Sequence, residues 1–272
     1  MPSGLLRNAP LFILIAARCL ALIMTLPLFS SQTVSRKVKV ALAGFLAYFI
    51  FPELSLVKGT FVSYRPFISP EGNFDLTFVL LVLGEALIGV ITGFYVQIIF
   101  SVFSTAGQLF AFQMGFSASN VYDSLSQVEN PLMGQFLNFV ALMIFLQPHF
   151  FRKLFIDGLR ESFHTITAFS VVNHTDRLFG FMTSSLTALF FNAFKISLPI
   201  IGTLFLVNVV MGIVAKSAPQ MNLLSESFPI MILTAFVVIW LLFPNLTGFF
   251  REIFDSGYRK LGTFFNSIRG GL

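Results

Sequence analysis

The sequence predicts an all-α membrane protein with two overlong, broken segments. Three observations carry that expectation. Apolar residues make up 56% of the 272 and charged residues only 11%, where soluble domains carry about 25% charge. Mean hydropathy is +0.86. The apolar residues gather in six blocks, and two of these are too long for one ordinary crossing, since a helix rises ~1.5 Å per residue and a bilayer core is about 30 Å thick. The net charge is +5, but the lysines and arginines flank apolar runs. That fits membrane ends better than a phosphate-binding face, so lipid and no nucleic acid is expected as a partner. A single cysteine, Cys19, excludes an internal disulfide and a multi-cysteine metal site.

Block one runs from Pro10 to Phe29, interrupted by Arg18 and Pro27. With Arg18 in its middle and no small-x-small site after it, the segment reads as retained rather than as a signal peptide. A basic loop follows, with Arg36, Lys37 and Lys39. Block two, Val40 to Phe51, is too short for a comfortable span unless Val34 and Val38 join it. Residues 52–74 read as a loop rich in turn formers, with Pro52, Pro66, Pro70 and Gly72. Block three, Leu76 to Phe112, is the stretch around which the chain is organised. As a helix it would reach roughly 50 Å, so it is either one overlong helix or two pieces hinged at a glycine. Block four is Pro131 to Leu146, and a mixed segment at 147–178 holds His149, His164 and His174. Block five, Phe179 to Val214, is overlong again, with Lys195 and Pro199 near its middle. Block six is Phe228 to Phe243. The tail from Arg251 carries Arg259, Lys260 and Arg269 among apolar residues, which suits an amphipathic helix lying on an anionic surface or a solvated helix equally well. No linker divides the chain, so residues 1–272 are expected to form a single helical membrane domain.

Between Arg65 and Arg152 there is no lysine or arginine. The positive-inside rule then places the basic regions 36–39, 152–177 and the tail on the cytoplasmic side. Block three must cross an even number of times or not fully. A hairpin or partial insertion, broken near Gly89, Gly93 or Gly107, is expected.

The sequence has no HExxH, CxxC, Walker A loop or dinucleotide fingerprint. The histidines lack ligand spacing. No catalysis, metal or cofactor is expected. Glu85 is the strongest anomaly, since a carboxylate in an apolar helix costs a few kcal/mol and needs a partner or water. Gly89 and Gly93 lie at i+4 and i+8 from it, a small-residue stripe that lets another backbone come close. An ion or proton site and a polar tie to a neighbouring helix or subunit are both readings of Glu85, and the tie is preferred. Gln108 is a further polar group in this block. Lys195 lies four residues before Pro199, whose ring frees the Lys195 carbonyl. It is expected to pair with Glu85 or with an acidic group on a partner, or to snorkel at a helix end. The loop after block three, Gln113, Met114, Gly115, Phe116 and Ser117 onward through Asn120 and Asp123, has only acidic charges and many small residues. It reads as a deformable apolar lip able to close a pore, or as a plain surface loop. Pro219, Gln220 and Asn222 mark a short turn between blocks five and six. From the residues alone, the rival to a pore subunit is a secondary transporter built around Glu85 and Lys195. Such a transporter should show two halves of matching hydropathy, and none are evident.

Taken together, Glu85 with Gly89 and Gly93, Ala106-Gly107-Gln108, Gln113-Met114-Gly115-Phe116, Gly134 to Asn138, His149 with Ser162-Phe163, Lys195 to Pro199, and Pro219 to Asn222 form an ordered series. In it the chain resembles the FliR family of the flagellar export apparatus, which is similar to the SctT proteins of virulence-type secretion. Asp123-Ser124 and Pro148-His149 depart from the family's usual Asp-Pro and Gly-His. The resemblance implies tilted helical hairpins within a hetero-oligomeric export gate in the bacterial inner membrane, at the flagellar basal body. It implies FliP-like and FliQ-like partners, with FlhB-like and FlhA-like export proteins nearby, and unfolded flagellar proteins as cargo. By the same likeness residues 113–131 would be a channel plug, and Glu85, Lys195 and Gln108 inter-helix or inter-subunit ties.

Overall fold

The computed structural model describes residues 2–30, 34–54, 59–68, 75–115, 132–217 and 223–269. Among them every regular element is helical. In chain order these are α1 (Pro2–Thr25), the short α2 (Pro27–Ser30), α3 (Arg36–Ile50), α4 (Leu76–Gln113), α5 (Leu132–Phe145), α6 (Pro148–Thr165), α7 (Ala168–Asn173), α8 (Thr175–Ser217) and α9 (Leu223–Arg269). Two 3₁₀ turns, Phe51–Glu53 and Thr60–Phe67, lie in the expected loop, and α6 contains a π turn over Lys153–Gly158. This is an all-α membrane protein. α4, α8 and α9 are long and apolar enough to cross a bilayer. α5 and α6 meet at a 76° bend.

Local chemistry sets several boundaries. α1 stops before Pro27 because a residue preceding proline is pushed out of the helical region. α6 and α7 are separated by Ile166 and Thr167, both extended. The Thr167 hydroxyl accepts from the Ser170 amide at 3.2 Å, and the Ser170 hydroxyl accepts from the Thr167 amide at 3.4 Å, a reciprocal cap that starts α7. α4 ends where Gly115 takes a φ of 83°, the left-handed conformation that closes many helices.

Two expectations are overturned. Block three is overlong but unbroken: α4 runs as one helix through Gly89, Gly93 and Gly107. Its glycines serve close packing instead of hinging, as shown below. α8 likewise continues through Pro199. For the tail, read equally as a helix on an anionic surface or as a solvated helix, Arg251, Arg259 and Lys260 are exposed. It continues block six as the last turns of α9, and Phe254, Leu261, Phe264, Phe265 and Ile268 are buried in protein. Its apolar face is already covered.

The packing divides into two units, Met1–Ile98 with Pro148–Ser185 and Ser256–Leu272, and Ile99–Gln147 with Leu186–Asp255. In the first, Ala43, Ala47 and Ile50 form the buried stripe of α3, which packs on α1. Phe181 stacks on Phe264 at 4.1 Å and packs on Tyr95 at 4.7 Å. Tyr95 donates its hydroxyl to the Gly257 carbonyl at 2.9 Å. In the second, Phe103 contacts Phe250 and Phe254 at 4.3 and 5.4 Å, and Phe100 packs on Phe145 and Phe254, each at 5.3 Å. Part of the phenylalanine excess is therefore core. Another part faces outward, on Phe190, Phe191, Phe205 and Phe236.

Candidate functional site

The first unit is built around a buried charge pair. Arg18 on α1 and Glu85 on α4 are 1% and 0% exposed. Arg18 Nε donates to Glu85 Oε2 at 2.7 Å, and Nη2 lies 2.6 Å from the same oxygen. Arg18 Nη1 donates to the Ser162 carbonyl at 2.8 Å and to its hydroxyl at 3.2 Å, and Nη2 donates to the Ile166 carbonyl at 2.9 Å. The guanidinium also lies 4.3 Å over the Phe163 ring. Tyr64, from the 3₁₀ turn, donates to Glu85 Oε1 at 2.6 Å, and its oxygen accepts from the Ala168 amide at 2.5 Å. Burial first, and then the Glu85 charge, push the Tyr64 phenol well above the usual tyrosine range, so it keeps the proton it donates. All three guanidinium nitrogens and both carboxylate oxygens have partners. A buried pair survives only when its remaining hydrogen-bonding groups are satisfied in this way.

The glycines beside Glu85 let α1 come close enough. A Cβ on Gly89 would collide with the Arg18 carbonyl and lie 2.9 Å from the Ala21 Cβ; one on Gly93 would collide with the Thr25 hydroxyl. Gly84, one residue before Glu85, would meet the Ala168 Cβ at 2.5 Å. In the second unit a Cβ on Gly107 would lie 2.5 Å from the Gly134 Cα, so α4 and α5 touch backbone to backbone.

Lys195 was expected to pair with Glu85 or with an acidic group on a partner, or to snorkel at a helix end, and the first of these is not what Glu85 does. Glu85 is held by Arg18 and Tyr64. Lys195 is exposed on α8, its ammonium 4.5 Å over the Phe249 ring. Both carboxylate oxygens of Glu85 are taken within the first unit. Lys195 instead opens on a groove of about 220 Å³ lined by Ile196, Pro199, Leu242, Asn245, Leu246 and Phe249. Gln108 is exposed on α4.

At the end of α4, Met114 is buried and Gln113 half-buried. A Cβ on Gly115 would strike the Phe228 ring, so the root of the expected lip is clamped by α9. Phe116, Ser117, Asn120 and Asp123 lie outside the described residues, as do Pro219, Gln220 and Asn222.

Sequence reasoning missed Arg18 and Tyr64 as members of the tie. A signal existed for Arg18: it is a cation inside block one, as Glu85 is an anion inside block three. Tyr64 sits in a stretch of turn formers and gave none. Ser162-Phe163, quoted above only as part of a pattern, forms the seat of the guanidinium.

The pattern defining bacterial export proteins, family 1, matches residues 9–257. The chain is similar to the flagellar biosynthetic protein FliR of Bacillus subtilis (strain 168), with 31% identity over 248 residues covering 90% of this chain and 91% of that one. It is 32% identical over 222 residues to FliR of Borreliella burgdorferi, 81% of each chain. With FliR of Escherichia coli (strain K12) it shares 26% identity over 251 residues, 92% of this chain and 91% of the other. The chain belongs to family 1 of the bacterial export proteins, the family of the flagellar biosynthetic protein FliR.

Proposed function

We propose that the chain is a non-catalytic subunit of the flagellar protein export gate in the bacterial inner membrane, needed for flagellum assembly. It helps to form and plug the channel through which unfolded flagellar proteins leave the cytoplasm. The observation that carries the reading is the match to FliR proteins over about nine-tenths of both chains. FliP-like and FliQ-like membrane subunits are its neighbours in this reading, with FlhB-like and FlhA-like proteins beside them. Gln108, exposed on α4, offers a polar tie to such a neighbour.

The end of α4 supports the plug. A loop that seals a pore must move at its tip and stay fixed at its root. Met114 is buried and Gly115 is pressed against Phe228, which fixes the root. The small and acidic residues from Phe116 to Pro131 follow it directly. Residues 113–131 form the plug in this reading, and the Arg18–Glu85–Tyr64 tie holds the first half of α4 in place.

Deleting residues 114–119 in the source cell tests the proposal. The expected result is leakage of small ions across the inner membrane together with loss of flagella. Loss of flagella with a tight membrane, while the protein still co-purifies with FliP-like and FliQ-like subunits, would overturn the plug. A chain that extracts in mild detergent as a lone monomer or homodimer would overturn membership in the gate.

A further inference from the structure

α4 and α5 run antiparallel within the second unit. Gly107 meets Gly134, and Phe100 packs on Phe145 at 5.3 Å, so the numbering runs in opposite senses across the contact. At about 3.6 residues per turn, Phe103, Ala106 and Phe110 fall on one flank of α4 counted from Gly107. Met133, Leu137 and Ile144 fall on the matching flank of α5 counted from Gly134. All six are buried. Ser101, Ser104 and Gln108 fall on the other flank of α4, and Gln135 and Asn138 on the other flank of α5. In an antiparallel pair, equal turns from the two glycines reach the same side, so these five side chains border one seam. Gln108 and Gln135 are exposed, and the other three are half-buried. Phe112 and Phe139, 72% and 58% exposed, form shoulders outside it.

The chemistry of this seam sets it apart. α8, in the same unit, turns Phe190, Phe191, Phe194, Phe205 and Leu206 outward. The seam carries amides and hydroxyls and no charge, since residues 99–113 and 132–147 hold no Asp, Glu, Lys or Arg. Hydrocarbon offers amides no partner, so this side of the hairpin is not a lipid face. A neighbouring helix uses its main-chain N–H and C=O groups internally, and would need a matching set of polar side chains. An extended chain carries a free donor and a free acceptor at each non-proline residue. Neutral amides and hydroxyls both donate and accept, so they suit such a chain whatever its sequence. A charged track would sort it by sign. Taken alone, Gln108 suits a tie to one neighbouring helix; four further polar groups on the same seam exceed what one tie needs.

We infer that the α4–α5 seam borders a water-filled path and holds the main chain of an extended polypeptide in transit. The amides and hydroxyls take its N–H and C=O groups, and Phe112 and Phe139 take its apolar side chains. The inference rests on the export-gate reading and adds the surface that cargo touches.

The test uses the full chain in its native assembly, in source cells and in inverted membrane vesicles. Cys19 is the chain's one cysteine and is buried. Gln108→Cys, Asn138→Cys and, as an apolar control, Phe190→Cys are each treated with a membrane-impermeant methanethiosulfonate. Gln108→Cys and Asn138→Cys should react about tenfold faster than Phe190→Cys, since a thiol in water ionises to the reactive thiolate and one in an apolar setting does not. A flagellar protein fused to a domain that cannot unfold, and so stalled in transit, should slow both several-fold. Ser104→Cys, nearly isosteric, carries the test if a larger change blocks assembly. Rates no faster than that of Phe190→Cys, in cells that still build flagella, would mean that a subunit or lipid covers the seam; the inference then falls while the gate reading stands. Fast labelling untouched by stalled cargo would overturn it as well. A chain recovered as a lone monomer or homodimer fails the gate reading itself, and the inference with it.

Discussion

Arg18 and Lys195 are both cations set within apolar helices, and their surroundings are opposite. Arg18 is buried, with its guanidinium donors satisfied by Glu85, Ser162 and Ile166 and its face covered by Phe163. Lys195 is exposed, with an aromatic ring beneath it and an apolar groove beside it. The first charge is consumed in holding elements of one unit together. The second joins no ion pair among the described residues. Satisfaction of hydrogen-bonding capacity, more than position in an apolar run, separates the charge built into the fold from the one left at its surface.

The largest expected effect comes from breaking the buried pair. Arg18→Ala or Glu85→Ala leaves one uncompensated buried charge and should destabilise by about 3–5 kcal/mol, read as loss of folded chain in thermal melts in detergent. Arg18→Met combined with Glu85→Leu should recover a large share of that loss. Singles that melt like wild type would mean the pair holds nothing.

Smaller effects sharpen the same contrast along the helices. Gly89→Val should cost about 1–3 kcal/mol through overpacking against α1, since its Cβ would strike the Arg18 carbonyl. Gly202→Ala on α8, with nothing within 4 Å of the added carbon, should instead stabilise by up to about 1 kcal/mol. Opposite signs in the two melts are the expected result, and equal signs would break the comparison. Gly115→Ala should lose about 1–2 kcal/mol from its left-handed φ, and adding Phe228→Ala should relieve the collision but not that strain.

Tyr64→Phe removes the donor to Glu85 and the acceptor for the Ala168 amide, and about 1–3 kcal/mol is expected for the groups left unpaired. Tyr64→Phe melting within error of wild type would show that water replaces the phenol. The smallest change in stability should be Lys195→Ala, within about 0.5 kcal/mol, because among the described residues its side chain joins no ion pair and touches the Phe249 ring from an exposed position. A loss as large as that of Arg18→Ala would erase the distinction between the two cations.

The legibility of these regions followed the range of the interactions. The helical membrane class, the extent of block three and the positions of Glu85, Lys195 and Pro199 could all be read locally, since apolar runs and lone charges are properties of the chain itself. The anomaly of Glu85 was visible, but its partner was not. Arg18 is 67 residues away and Ser162 is 144 residues from Arg18, and nothing in a one-dimensional pattern chooses Arg18 over Lys195. The glycine stripe was visible as well, and two readings of it stood side by side: the same residues permit a hinge or a close contact, and only the presence of α1 against Gly89 and Gly93 decides for the contact.

By itself, then, the sequence determined the class, the overlong helices and the charges that needed explaining, because burial in lipid is governed by local composition. The tertiary structure decided that α4 is unbroken, that the tail belongs to α9, and that Glu85 closes on Arg18 and Tyr64. Those outcomes turn on which distant groups arrive within 3 Å of one another. A desolvated charge accepts whichever partner the packing delivers.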